Sequence, residues 1–413
     1  MIAMSGLGAR LRQARELAEY SQHEIAEVVG VVREVVSYWE NDRRVPSYAQ
    51  LARLAEAYGA TTGSLLGTEP APISAEEHEF VYRGLRAQPP HTKAAVRRWI
   101  AFLDEWSDLL ESCGVNPPGR AIPPKTEWRA ARAIMDSRLA PKLAEDVRTF
   151  YGLGADAIPD LLAFLDRAGV LVYRVALDRI GEGVGVSGVF YNHPRLGYCI
   201  LVNTATTRGR QAFTLAHEFA HALFHYQERG LVSRAGDPDR RERFADAFAA
   251  HFLVPGAALR EHVAQRPDRT IVSPLDVIDL HRYFRVSYAT MLIRLRSEGL
   301  LSPERYEEYR GYSPGHLAAR LGLGRDEYYP TARLGGLSLG CYPTSVLDRV
   351  CALVEDEELS SAAAADLLRV SLEEVLGELL ATPAPAEEAE SREFDELPEP
   401  TRPRTKARSG EGW

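Results

Sequence analysis

Two histidines four residues apart, His217 and His221, bracket Glu218 in the run Thr214-Leu215-Ala216-His217-Glu218-Phe219-Ala220-His221. In a helix of about 3.6 residues per turn, positions i and i+4 stand on one face, so both imidazoles can address one ion. Glu218 sits one step round, suited to holding a coordinated water rather than binding the ion itself. Zinc lowers the pKa of such a water toward about 7, where a carboxylate can take its proton. A bare H-E-x-x-H arises by accident in many chains. Here Leu215, Ala216, Phe219, Ala220, Leu223 and Phe224 make the helix apolar, which fits a buried site better than a decorated surface.

A catalytic zinc needs a third protein ligand and an open position. His225 is the next i+4 step, but helical rotation carries it away from an ion shared by the first two. Gln227 stands where a metzincin would place its third histidine, so that pattern fails. Glu242 lies on a second predicted helix, Arg240-Arg241-Glu242-Arg243-Phe244-Ala245-Asp246-Ala247-Phe248-Ala249, with Asp246 four residues on and on the same face. Its apolar positions favour a buried helix over an acidic pair on a solvated one. Glu242 is the expected ligand, and Asp246 the expected hydrogen-bond partner of a ligand histidine.

At this point the chain resembles the ImmA/IrrE family of metallopeptidases, over roughly residues 126 to 300. The resemblance rests on Arg208-x-Arg210-Gln211-Ala212-Phe213-Thr214-Leu215-Ala216-His217-Glu218, and on Glu242-x-x-Ala245-Asp246-x-Phe248-Ala249-Ala250 leading into Leu253-Val254-Pro255. It implies Zn2+ held by His217, His221 and Glu242, with Glu218 as general base. Asp246 stands where the family often has Asn; both accept a hydrogen bond. The implied substrate is a helix-turn-helix repressor. No oxyanion-stabilising residue is evident: Tyr226, His225 and His251 are near in sequence only.

Residues 7–66 read as five short helices. Ser21-Gln22-His23-Glu24 and Ser47-Tyr48-Ala49-Gln50 are capping boxes, and Gly30 ends the second helix. With Ile25-Ala26, Gly30-Val31, Val36-Ser37-x-Trp39-Glu40 and Pro46-Ser47, this segment resembles the XRE (lambda-repressor-like) helix-turn-helix. The resemblance implies binding to double-stranded operator DNA, commonly as a homodimer. The second motif helix would enter the major groove, with Arg33, Glu34 and Ser37 at base edges and Gln22, Arg43 and Arg44 toward phosphate. Glu16, Glu19, Glu24 and Glu27 weaken the electrostatic footprint.

The elements that position these groups suggest a multidomain chain: an all-α helix-turn-helix domain at 1–68, linker and connecting helices at 69–124, an α+β zincin-like peptidase domain with a small sheet at 125–300, and a mostly helical region at 301–381. Residues 382–413, rich in Pro, Glu, Arg and Ser, are expected to be disordered. Strands are expected at Val170–Val175, Val184–Tyr191 and Tyr198–Val202, with helices from Arg208 onward. Trp99, Leu103, Trp106 and Leu110 form a helical stripe, expected to pack on a neighbouring domain rather than to make a dimer seam. Gly183-Val184-Gly185-Val186-Ser187-Gly188 satisfies G-x-G-x-x-G but leads into strand-like Val189-Phe190-Tyr191, so no nucleotide cofactor is expected.

At 413 residues the chain needs more than one core, and 45% hydrophobic with 26% charged residues describes a folded protein. A net charge of −9 argues against coating nucleic acid over the whole surface. Cys113, Cys199, Cys341 and Cys351 are too dispersed for a disulfide framework or a four-thiolate zinc site. With no signal-peptide pattern and no long apolar run, a cytoplasmic protein without membrane contact is expected. A regulatory zinc metalloendopeptidase tethered to DNA is the favoured reading. The alternative is a non-proteolytic XRE-family regulator, a ligand sensor or antitoxin, with a peptidase-like sensing domain.

Overall fold

The structure is a computed structural model that describes residues 6–18, 20–58, 60, 62–67, 88–117, 136–177, 185–225, 230–234, 239–324, 328 and 337–380. The expected boundary near Lys125 and the tail at 382–413 lie outside the described residues.

Five helices form the N-terminal unit: α1 (Leu7–Leu17), α2 (Gln22–Val29), α3 (Arg33–Glu40), α4 (Tyr48–Tyr58) and α5 (Thr62–Leu66). Both capping boxes are made. Ser21 Oγ accepts from Glu24 N at 3.1 Å while Ser21 N donates to Glu24 at 2.7 Å, and Ser47 N donates to Gln50 Oε1 at 2.9 Å. Gly30 ends α2 at φ 77°, a left-handed conformation that glycine adopts without a Cβ penalty. Ile25, Val29, Val36, Trp39, Leu51 and Leu54 close the core.

The helix α6 (Pro90–Ser112) joins this unit to the rest. At its start Ala94 enters the N-terminal core, Lys93 pairs with Glu24 at 3.2 Å and the Arg97 guanidinium lies 4.9 Å from the Tyr20 ring centre. Further along, Trp99, Leu103, Trp106 and Leu110 are buried in a second core. The stripe thus packs within the chain, as its spacing suggests.

That second core covers one face of a four-stranded sheet in the order β1-β3-β2-β4, with β1 (Leu171–Val175), β2 (Val186–His193), β3 (Gly197–Asn203) and β4 (Gly230–Arg234). β1 and β3 run parallel, and β2 is antiparallel to both β3 and β4. Side chains alternate along a strand. Leu171, Tyr173, Tyr191 and Leu201 therefore face α6 and the C-terminal helices α16 (Thr344–Glu355) and α17 (Ser361–Leu368), whereas Val172, Phe190, Ile200 and Val202 face the metal-helix side. β4 corrects the expectation of helix from Arg208 onward. A five-residue edge strand has little pattern of its own, and its pairing with β2 defines it.

On the opposite face lie α7 (Ala140–Phe150), α8 (Leu161–Arg167), α9 (Arg208–Phe224), α10 (Arg240–Leu253), α11 (Gly256–Ala264), α12 (Pro274–Tyr283) and α13 (Tyr288–Ser297). The short helices α14 (Pro303–Tyr309) and α15 (Pro314–Arg320) extend this core, to which Leu301, Tyr309 and Leu317 belong. The described residues between 301 and 380 are mostly helical, as their sequence suggests. They divide between the two faces of the sheet rather than forming a core apart.

Candidate metal centre

α9 is buried along most of its length because β2 and β3 pack under it and α10 beside it. α10 begins at Asp239, whose side chain accepts from Arg241 N at 2.8 Å, and this sets Glu242 in the first helical turn. Aromatic contacts then lock the two helices together. Phe224 meets Phe244 at 5.2 Å and Phe248 at 5.4 Å, and Phe219 meets Phe252 at 5.6 Å between ring centres. Pro255 stops α10. The buried guanidiniums of Arg148 and Arg294 donate to the carbonyls of Phe252 (2.6 Å) and Val254 (3.0 Å), which the helix end leaves without intrahelical donors.

This packing brings His217, His221 and Glu242 together. Their ligand atoms all lie within 4.8 Å of one another, and the three side chains are buried. His217 Nε2 lies 3.0 Å from His221 Nε2 and 3.0 Å from Glu242, and His221 Nε2 lies 3.3 Å from Glu242. Donors at the usual zinc bond lengths in a tetrahedral shell stand roughly 3.3 Å apart. Two imidazoles and a carboxylate at these separations therefore fit zinc with one position left for chemistry.

Electrostatics agrees with a cationic centre. Burial alone would lower the His217 pKa, but Asp246 and Glu242 outweigh it and raise that value to about 10. Burial lowers His221, while the two histidines hold the Glu242 carboxyl well below the usual carboxylate range despite its own burial. Asp246 Oδ1 lies 2.9 Å from His217 Nδ1, the contact that its spacing from Glu242 suggests. His225 does turn away from the shared point, yet it has a role that helical rotation alone did not reveal: its Nδ1 lies 2.6 Å from His221 Nδ1. Burial, reinforced by His221, brings the His225 pKa down to about 3, so it is neutral and can accept the proton on His221 Nδ1.

Glu218 is fully buried, one step round from the ligands. It packs against Gly188 on β2 so closely that a Cβ there would meet Glu218 Oε1 at 2.8 Å and Thr214 Cγ2 at 2.7 Å. Gly188 closes the G-x-G-x-x-G run. The run feeds strand β2 and no helix, and its last glycine makes room for a carboxylate rather than a phosphate. His217 and Glu218 open onto a cleft of about 480 Å3 shared with Ser187, Arg210 and His251. His251, brought down to about 4 by burial and Arg294, is neutral and lies 3.3 Å from Arg294. Tyr226 lies outside the described residues.

In the N-terminal unit, Arg33 and Glu34 are exposed on the first turn of α3, Ser37 is half-buried, and Arg43 and Arg44 are exposed just beyond the helix. Val32 and Tyr38 are exposed apolar neighbours. Gln22 is engaged inside the unit, where its Nε2 donates to buried Glu40 at 3.0 Å. Arg15 holds the same carboxylate through two contacts, 2.6 and 3.1 Å, tying α1, α2 and α3 together.

Fold and site thus define a helix-turn-helix unit joined to a zincin-like domain with a histidine–histidine–glutamate cluster. Residues 6–66 match the model of a helix-turn-helix domain family, and residues 179–296 match that of the IrrE N-terminal-like domain, Peptidase M78. Over 63 residues the chain is 38% identical to the HTH-type transcriptional regulator ImmR of Bacillus subtilis (strain 168), a stretch covering 15% of this chain and 50% of that protein. The chain spans about half the length of the curated relative it matches. It combines an XRE-type helix-turn-helix with an ImmA/IrrE-type metallopeptidase-like domain. Among the described residues, no helix is long and apolar enough to cross a membrane.

Proposed function

We propose that this protein is a cytoplasmic, DNA-tethered zinc endopeptidase that controls transcription by cleaving a helix-turn-helix repressor. The observation that carries this reading is the convergence of His217, His221 and Glu242, with the buried Glu218 carboxylate next to His217 and lining the same cleft as that ligand. When bound, zinc supplies Lewis acidity, lowering the pKa of water toward about 7 and polarising a carbonyl. His217 and His221 present Nε2 to the ion. Asp246 and His225 accept the Nδ1 protons, which fixes the tautomer that leaves each Nε2 lone pair inward. Glu218 accepts the proton of the attacking water and returns it to the leaving amine, so that one peptide bond and one water become a carboxyl and an amino group. Low-dielectric surroundings hold Glu218 in reach without a water shell to reorganise.

The helix-turn-helix directs this activity to operators. Arg33, Glu34 and Ser37 read base edges, and Arg43 and Arg44 grip phosphate, in the dimeric mode common to such modules. Gln22, expected from the sequence at phosphate, instead donates its amide to Glu40. The proposed limits are 1–68 for the helix-turn-helix unit, 69–124 for the linker and connecting helices, 125–300 for the peptidase domain and 301–381 for a helical region that packs on that domain's sheet.

The test is incubation of zinc-loaded full-length protein with helix-turn-helix repressors encoded near its gene, read by intact-mass spectrometry. Wild type is expected to give two complementary fragments, and Glu218→Gln, with zinc retained, to slow cleavage at least about 100-fold. Zinc-loaded wild type that cleaves none of them, while still shifting operator DNA, would favour the non-proteolytic regulator.

A further inference from the structure

Beside the metal cleft lies a larger cavity of about 1000 Å3. Its walls come from β1, the start of α8, the first turn of α9, the end of α12 with the turn that follows, and the segment joining α14 to α15. Five arginines line it (Arg174, Arg208, Arg282, Arg285 and Arg310), against one lining carboxylate among the described residues, Asp160. Asp160 is engaged at the start of α8, where it accepts from Ala163 N at 2.9 Å. Arg310 is offset by Glu307 at 3.1 Å. Arg282 has a partner of its own. Among the described residues, Arg174 and Arg285 reach the backbone carbonyls of Gly340 and Pro159, neutral acceptors that do not offset the guanidinium charge. In a chain of net charge −9, this is a local concentration rather than a sample of a basic surface.

Two further features point the same way. The positive end of the 17-residue helix α9 opens into the cavity through Thr207 and Arg208, and Thr207 makes no side-chain cap. Backbone N–H groups and the helix dipole there favour an anion. Part of the remaining wall is apolar, with Leu161, Leu162, Phe284 and Tyr288, beside polar groups that include Gln211 and His281. A space of this size is at the upper end of small-molecule sites, far beyond an inorganic ion.

We infer that this cavity binds a small organic phosphate with an apolar body. The phosphate meets Arg174, Arg208 and the first turn of α9, and the body lies along the leucine and phenylalanine wall. The site also has a route to the metal cleft. Gly209 is seated on the Val286–Ser287 backbone, where a Cβ would come within 2.5 Å of Ser287 N, and Ser287 and Ala289 line both spaces. A ligand lodged here bears on the wall that the two clefts share. The inference does not depend on proteolysis.

The test uses full-length protein treated with EDTA, so that zinc cannot capture the probe's phosphate. The probe is 1-naphthyl phosphate, titrated calorimetrically beside 1-naphthol and inorganic phosphate. The naphthyl phosphate is expected to bind at least about tenfold more tightly than either fragment. Arg208→Gln is expected to cost about tenfold and the Arg174→Gln/Arg208→Gln pair about 100-fold, as roughly one charge-assisted contact is lost each time. Arg320→Gln, an exposed α15 position outside the cavity, is expected to change nothing. Arg208 is itself exposed, so its single variant carries the test if the pair fails to fold. No binding of the naphthyl phosphate, equal binding of naphthol, or full affinity in Arg208→Gln would overturn the assignment.

Discussion

Replacing Asp246 with alanine probes how the centre is built, because this side chain meets the ligand set through His217. Its Oδ1 lies 2.9 Å from His217 Nδ1, and no ligand atom is removed. Partners of ligating histidines typically contribute 10–100-fold to metal affinity, or about 1.4–2.8 kcal/mol. The Asp246 side chain is 52% exposed, so solvent screens part of its charge. The expected loss is therefore the lower end, about tenfold. Asp246→Asn keeps an acceptor oxygen and is expected to lose less than the alanine variant. Competition for zinc against a chromogenic chelator at pH 7.5 measures both. Wild-type affinity in Asp246→Ala, or equal losses in the two variants, would refute the claim that the carboxylate orients His217 by accepting its proton.

Gly188→Ala is expected to retain zinc but lose both stability, by about 1–3 kcal/mol, and cleavage, because the new methyl collides with Thr214 and Glu218. Thermal melts and cleavage assays would show it; an unchanged variant would mean that the close approach is not real. A pH effect is expected in the helix-turn-helix. Burial alone would raise the Glu40 pKa, but Arg15 and Gln22 outweigh it and hold the carboxyl below its ordinary value of 4.5. A depressed folded pKa contributes stability that is complete above about pH 4.5 and lost as pH falls through the folded value. Hydrogen exchange of α3 amides, corrected for intrinsic rates, is therefore expected to accelerate on acidification from pH 5, and less so in Glu40→Gln. Equal acceleration in both would remove Glu40 from the account.

Much of this was legible because it was local. The i and i+4 histidines, the capping boxes at Ser21 and Ser47, and the turn at Gly30 follow from helix geometry and a few side chains. Glu242 was legible because Phe244, Phe248 and their neighbours mark the helix as buried, which makes an acidic residue on it informative. The rest depended on contacts far apart in sequence. β4 exists through pairing with β2. The His221–His225 contact is local by contrast, an i, i+4 pair in which His225 is the helix C-cap. Gly188 makes room for Glu218 from a separate strand, so the glycine run suggested only the approach to a strand and revealed nothing of the neighbouring carboxylate. Nor did composition show that α6 and the C-terminal helices share one sheet face, or that scattered arginines line one cavity.

The central claim is a zinc centre whose third ligand is Glu242, and elemental analysis of protein purified without added metal tests it most directly. Wild type is expected to carry close to one zinc per chain and Glu242→Ala far less, with both folded by circular dichroism. A folded wild type that takes up no zinc even when it is supplied, or a Glu242→Ala variant that keeps its full complement, would contradict the account.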